Sequence, residues 1–367
     1  MAVAPAPAFE GDFVIDGAFS LEAGGVLQSP TLRYAVYGKP NAAGDNVVLV
    51  CHALSGSARV GEWWPQLFAP GGLLDLERDS VIGINILGSC YGSTGPASLN
   101  PQSGVAFGPD FPLVSIRDVV RSQAALLESI GITRLRQVMG ASIGGMQALE
   151  WAILYPEWVE RAVSIGVAPL GAMGLGLNHL QRQAIMLDPA WKEGRYSRQA
   201  PPLRGLAMAR ALAVCSYKSS DLFEERYGRK PNRNGEDPWA ATMGNGSTAG
   251  LNGGRFEIAG YLDYQGDRFN ERFDANSYLV MTRMMDTFDP TRGFASAAEA
   301  YRRIRARVTL VGISSDWLFP PADIVALSYH LSEAGVRCDY RELFSSHGHD
   351  AFLAEFEELV RLLNAES

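Results

Sequence analysis

The chain has 367 residues, 47% hydrophobic and 20% charged, with a formal net charge of -8 at pH 7. That balance excludes an intrinsically disordered chain and, without a basic face, a nucleic-acid-binding protein; a small-molecule substrate fits it better. No apolar run approaches the roughly 18 residues of a membrane span, and the start MAVAPAPAFEGDF lacks the basic residues and apolar stretch of a secretory signal, so the expected location is the cytoplasm.

A chain this long reads as one large domain with an insertion, or as two domains. TLRYAVYG alternates like a strand, whereas NVVLVCHAL and SVIGINIL are continuous apolar runs, which suggests a sheet covered on both faces. VSIRDVVRSQAALLESIGI has helical apolar spacing and is closed by Gly131. LRQVMG is a short strand feeding ASIGGMQALEWAILYP, helical as far as Pro156, and VERAVSIGVAP is the next strand. Strand, helix, strand, helix, strand is the rhythm of a parallel α/β sheet.

That rhythm fails between about Leu170 and Ala295. Helical pieces such as LRGLAMARALAVCSY and a polar segment, KPNRNGEDPWAATMGNGSTAGLNGG, read there as a lid-like helical insertion with one mobile stretch. ARVTLVGISSDWLFPP and VRCDYREL resume the strands, and DAFLAEFEELVRLLNA closes the chain as a helix. The expected division is 1–169 and 296–367 for the two parts of the core and 170–295 for the insertion. The four cysteines, Cys51, Cys90, Cys215 and Cys338, lack CxxC spacing and read as reduced thiols; Cys90, in a Gly-rich loop, is the one candidate for reactivity.

Gly140-Ala141-Ser142-Ile143-Gly144 is G-x-S-x-G set between an apolar strand and an apolar helix. Two readings compete: a nucleophile on a strained turn, or a small residue at a helix start. A nucleophilic serine needs a base, and there are five histidines. His349, in the polar loop SSHGHD after the last strand, has the right context, with His347 as the alternative. His330 reads as a helix-surface residue, His179 as structural or pocket-lining, and His52 opens the loop HALSGSA. The carboxylate that orients the histidine is expected at a strand end between serine and histidine, which Asp316 satisfies; Asp323 reads as a first-turn helix acid. Ser142, Asp316, His349 is the chain order of the α/β-hydrolase fold, here a doubly wound, mostly parallel sheet with a helical lid insertion. For an oxyanion hole, the N–H of Ile143 is one candidate and that of Leu54 the second, unless HALSG is only a turn.

These pieces together resemble the homoserine O-acyltransferases of the α/β-hydrolase type, over nearly the whole chain. The resemblance rests on CHALSGSA, GINILGSCYGSTGPASLNP, FPLVSIRDVVRSQAALLESIGI, GASIGGMQALEWAILYP, GLAMARALAVCSY, ISSDWLFPP and GHDAFL, in that order. It implies ping-pong acyl transfer from acyl-CoA through Ser142 to homoserine, whose hydroxyl His349 activates. It implies that Arg210 grips the acceptor carboxylate and Asp350 its ammonium, as against a helix-surface arginine and a helix N-cap.

The position two after the aspartate tracks the acyl donor in this family: succinyl users carry arginine there, and this chain has Leu318, so acetyl-CoA is the expected co-substrate. The family also implies a homodimer formed through the insertion. No metal and no cofactor beyond the CoA thioester are expected, since neither a metal-ligand cluster nor a dinucleotide motif stands out. The chain departs from the family pattern at Ile143, Ser55 and Lys218, which leaves a serine acceptor open. Succinyl transfer, a plain esterase and a non-catalytic scaffold are the competing functions.

Overall fold

A computed structural model describes residues 5–233, 238 and 254–365. Most of the Gly- and Asn-rich stretch read as mobile therefore lies outside the described residues. Ten strands are described: β1 (Phe9–Val14), β2 (Ala18–Ser20), β3 (Val26–Gln28), β4 (Thr31–Tyr37), β5 (Val47–Cys51), β6 (Ser80–Ile84), β7 (Gln137–Ala141), β8 (Arg161–Ile165), β9 (Arg307–Ile313) and β10 (Cys338–Leu343). β2 and β3 form a small hairpin. The others make one eight-stranded sheet in the order β1-β4-β6-β5-β7-β8-β9-β10. β1 and β4 run antiparallel to their neighbours, and every pairing from β6 to β10 is parallel.

The continuous apolar runs have the cause expected of them. In β5, Val47, Leu49 and Cys51 enter one core and Val48 and Val50 the other, all at 1% exposure or less. Both faces are covered, so both alternating sets are apolar. The helix Ile116–Ser129 packs on one face; its N-terminus is closed by a capping box in which Ser115 and Asp118 exchange hydrogen bonds. Besides the β2–β3 hairpin, which was not expected from the sequence, two features differ from expectation. β1, an edge strand whose alternation includes Glu10 and Asp12, is an additional element. The closing helix is broken into Ala351–Ala354 and Phe356–Asn364 at Glu355, which sits at φ -104° and ψ 49°.

Between β8 and β9 the named elements are all helical: α-helices Ala172–Met186, Leu203–Tyr217, Ser220–Arg226, Glu257–Asn270, Ala275–Asp286 and Ala297–Arg302, with a 3-10 turn at Pro189–Gly194. The chain enters them from the carboxyl end of β8, the edge where an open α/β sheet keeps its ligand crevice, and passes from Ala297–Arg302 into the amino end of β9. Among the described residues, no helix is long and apolar enough to cross a membrane.

Candidate active site

β7 ends at Ala141 and the next helix, Ile143–Leu154, starts two residues later, so Ser142 alone makes the turn between them. It does so at φ 57° and ψ -133°, a region that non-glycine residues seldom occupy. Its N–H donates to the Ile165 carbonyl at 2.9 Å, which ties the turn to β8. Space explains the flanking glycines: a Cβ on Gly144 would overlap the Cys51 carbonyl oxygen, and one on Gly140 the Gly144 backbone. The serine is 6% exposed and stands over the amino end of its helix, where free N–H groups favour negative charge.

Asp316 and His349 meet beside it. His349 Nδ1 lies 2.6 Å from Asp316 Oδ2, with both residues 3% exposed. The other carboxylate oxygen accepts the N–H groups of Leu318 and Phe319, each at 3.0 Å. With Nδ1–H donated to the carboxylate, the lone pair falls on Nε2, which is buried and has no hydrogen-bond partner. Burial opposes the imidazolium, but the Asp316 charge and hydrogen bond, with Asp350 adding to them, outweigh it and hold the His349 pKa above its ordinary value. The rings of Phe319 and Tyr217 pack on the imidazole at 5.2 and 5.8 Å between centroids. Gly166, at φ 60°, lets β8 pass close: a Cβ there would stand 3.1 Å from His349 Cε1. Gly166 follows Ile165, the acceptor of the Ser142 N–H, so serine and imidazole converge on the same bend of chain.

Two backbone donors in buried residues have no acceptor among the described residues. Neither the Leu54 nor the Ile143 N–H is hydrogen-bonded among the described residues, although these residues are 5% and 0% exposed. Since buried N–H groups are nearly always paired, two free ones at the carboxyl ends of β5 and β7 describe a place for an oxyanion. His52 props the first. Fully buried, it donates Nδ1–H to the Ala53 carbonyl at 2.8 Å and accepts the Ile86 N–H on Nε2 at 3.0 Å. The bond accepted on Nε2 requires a neutral ring, and burial pushes its pKa down to about 4. From the insertion, Arg272 Nη1 donates to the Ser55 carbonyl at 2.8 Å and to the Tyr91 hydroxyl at 2.7 Å, bracing the same loop.

With this geometry in place, the known relatives can be compared. The α/β hydrolase fold family model matches residues 46–356. Homoserine O-acetyltransferase of Trichormus variabilis is 42% identical over 351 residues, covering 94% of this chain and 90% of the relative. That of Symbiobacterium thermophilum is 44% identical over 358 residues, covering 93% and 90%. The chain belongs to the homoserine O-acetyltransferase family. Among solved structures, homoserine O-acetyltransferase from Bacillus anthracis superposes with a TM-score of 0.86 at 27% identity and covers 98% of both chains. Esterase E22 gives 0.84 at 27%, covering 96% of this chain and 98% of its own.

Homoserine O-acetyltransferase family members need a place for an amino acid as well as an acyl group. Arg210, on the helix Leu203–Tyr217, lies under the rings of Phe269 and Tyr217, 5.1 and 5.7 Å from their centroids. Its Nε is buried without a partner, and among the described residues it has no carboxylate. Asp350 is paired with Lys218, Nζ to Oδ2 at 2.9 Å. Neither that pair nor the roles of Gly166, His52 and Arg272 was read from the sequence. The departure of Lys218 from the family pattern was the only signal of the first, and nothing in sequence order marks the others.

The remaining sequence candidates fall elsewhere. Leu318 is buried at 5% exposure in the main core cluster, two residues beyond Asp316. His347 turns away to Glu355, its Nδ1 2.9 Å from Oε1, and His330 lies exposed on its helix. His179, expected to be structural or pocket-lining, is exposed, because it faces outward from the first helix of the insertion. Asp323 is exposed in a first helical turn. All four cysteines are free, and burial pushes the Cys90 thiol up to about 12, which leaves it unreactive near neutrality. Among the described residues, no group of three or more His, Cys, Asp or Glu side chains could hold a metal.

Proposed function

We propose that this chain transfers an acetyl group from acetyl-CoA to the hydroxyl of homoserine, on the way to methionine, through an ester on Ser142. The observation that carries the reading is a buried His349 whose Nδ1 is spent on Asp316 and whose Nε2 is free, beside a serine held at an unfavourable φ. In the first half-reaction, Nε2 takes the Ser142 hydroxyl proton as Oγ attacks the thioester carbonyl. The tetrahedral oxyanion lies between the N–H groups of Leu54 and Ile143, and its collapse breaks the C–S bond; the leaving thiol receives the proton from Nε2. In the second half-reaction, Nε2 takes the homoserine hydroxyl proton, that oxygen attacks the Ser142 ester, and Oγ leaves with the proton returned.

The acceptor is held at its other end. Arg210, a guanidinium with no carboxylate partner among the described residues, suits the homoserine carboxylate, and Asp350, next to His349 in the chain, suits its ammonium. Leu318 supports acetyl over succinyl: an uncharged residue there gives a second carboxylate no partner, and burying it so costs several kcal/mol. Exposed Met173, Leu180 and Leu187 recur every seven residues along one helix of the insertion and its end, and with exposed Leu203 and Met208 on the next helix they support a homodimer formed there. The four free cysteines accord with a cytoplasmic enzyme.

The likeness to esterase E22 favours one second reading, in which water replaces homoserine. CoA thiol release by the purified protein, with acetyl-CoA and succinyl-CoA each tested against homoserine and serine and Ser142→Ala as blank, separates these. Release that requires acetyl-CoA and homoserine together is the expected result; equal release without an acceptor assigns the chain to hydrolysis.

A further inference from the structure

Lys218 is the residue just beyond the helix Leu203–Tyr217, which carries Arg210, and its φ of -112° and ψ of 150° turn the chain out of the helix. It makes two bonds in different directions. Its ammonium meets Asp350 at 2.9 Å, with the two side chains only 16% and 27% exposed. Its backbone carbonyl accepts the Trp317 indole N–H at 3.1 Å. Trp317 and Asp350 are the sequence neighbours of Asp316 and His349. The same bend is pressed onto the histidine loop: a Cβ on Gly348 would stand 2.6 Å from the Tyr217 carbonyl oxygen and 2.8 Å from the Lys218 carbonyl carbon, and the Ser219 hydroxyl donates to the Ser346 carbonyl.

We propose that Lys218 is a positioning residue for the acyl transfer, holding the loops of Asp316 and His349 against the insertion while its ammonium offsets the Asp350 carboxylate beside the imidazole. This inference rests on the reading of Ser142, Asp316 and His349 given above. The charged and titratable groups around His349 are Asp316, Asp350, Lys218 and the Tyr217 hydroxyl. Two of them, Lys218 and Asp350, form a pair that is neutral as a whole. Removing the ammonium leaves Asp350 unbalanced next to the ring that must lose a proton to act, and protonated imidazole is then favoured to a higher pH. It also frees the whole Asp350 carboxylate for the acceptor's ammonium.

The test uses the full-length enzyme and the burst of p-nitrophenol from p-nitrophenyl acetate, which reports acylation of Ser142 without any acceptor. The burst rate is followed against pH for the wild type, Lys218→Met, Lys218→Arg, Asp350→Asn and Lys218→Met with Asp350→Asn, with thermal unfolding in parallel. Lys218→Met should move the acid limb upward by about half a pH unit or more. Asp350→Asn should move it down, the double variant should return it close to the wild-type position, and Lys218→Arg should leave it in place. A role confined to stability would lower the unfolding temperature of Lys218→Met and leave the limb where it was, and that outcome overturns the proposal. So does a double variant whose limb stays as far up as that of Lys218→Met alone, since the shift would then not come from Asp350. A wild type with no burst at all refutes the triad reading instead, since Lys218 is intact there.

Discussion

Replacing His52 by leucine tests the account of the oxyanion loop by stability as well as by rate. The substitution keeps an apolar side chain of similar bulk and orphans the Ala53 carbonyl and the Ile86 N–H, both now bonded to the ring. At about 1–3 kcal/mol for each unsatisfied buried group, the loss at pH 7 should be roughly 3 kcal/mol. The pH dependence is more specific. Because burial holds the folded pKa near 4, below the ordinary 6.5, the stabilisation from the neutral ring is whole above about 6.5 and drains away as pH falls toward 4. Between pH 7 and 5 the wild type should therefore lose about 2 kcal/mol that the leucine variant never had. Urea unfolding of both proteins at the two pH values, followed by circular dichroism, measures this. The gap between them should narrow by most of that amount. A gap of constant size would mean that the histidine is not buried neutral, and the argument for a fixed Leu54 donor would fall with it. The acylation rate of the variant should drop by roughly 10- to 100-fold, approaching the loss of one oxyanion donor.

Other outcomes follow from the same geometry. Ser142→Ala should release no CoA thiol above background, and Asp316→Asn should lower kcat by roughly 10³- to 10⁴-fold with little change in acceptor KM, because the amide no longer selects the imidazole tautomer; a loss confined to KM would contradict it. Gly166→Ala puts a methyl 3.1 Å from His349 Cε1 at a φ of 60°, so activity should fall roughly 10- to 100-fold and stability by about 1–2 kcal/mol, checked by steady-state rates and thermal unfolding. Because His349 must be neutral to accept a proton and its pKa is raised, the acid limb of kcat/KM should lie above the ordinary imidazole value; a limb below pH 6 would refute the net effect of Asp316 and Asp350. Arg210→Lys should raise the acceptor KM by roughly tenfold and leave the p-nitrophenyl acetate burst unchanged, since a point cation replaces a planar fork.

Much of this site was legible in the sequence because its chemistry sits where short, mostly continuous apolar runs stop. Val47–Cys51, Gln137–Ala141, Arg307–Ile313 and Cys338–Leu343 end at His52, Ser142, Asp316 and His349 or within a few residues of them. What was hidden depends on contacts between segments distant in the chain. Lys218 and Asp350 are 132 positions apart, and no local spacing pairs them. Gly166 reads as one more glycine in SIGVAP until β8 is seen to run beneath the imidazole. β1 escaped for a different reason: at the sheet edge its strand need not be apolar, so Glu10 and Asp12 pair with Arg33 and blur the pattern. The break at Glu355 was likewise invisible, since the apolar spacing of the closing helix continues through it.

Between β8 and β9 the chain leaves the sheet and returns to a strand paired with the one it left. Arg210 and Lys218 lie within that excursion, whereas Ser142, Asp316, His349 and both N–H donors lie outside it. The groups proposed to take up the acyl group thus belong to the sheet's own loops, whereas the braces Arg272 and Lys218 reach them from the excursion, and the proposed acceptor contacts are divided, Arg210 within it and Asp350 outside. A substitution in the excursion that altered the acceptor would therefore also be felt at the imidazole and the oxyanion loop, while the register of β8 on β9 stayed as it is.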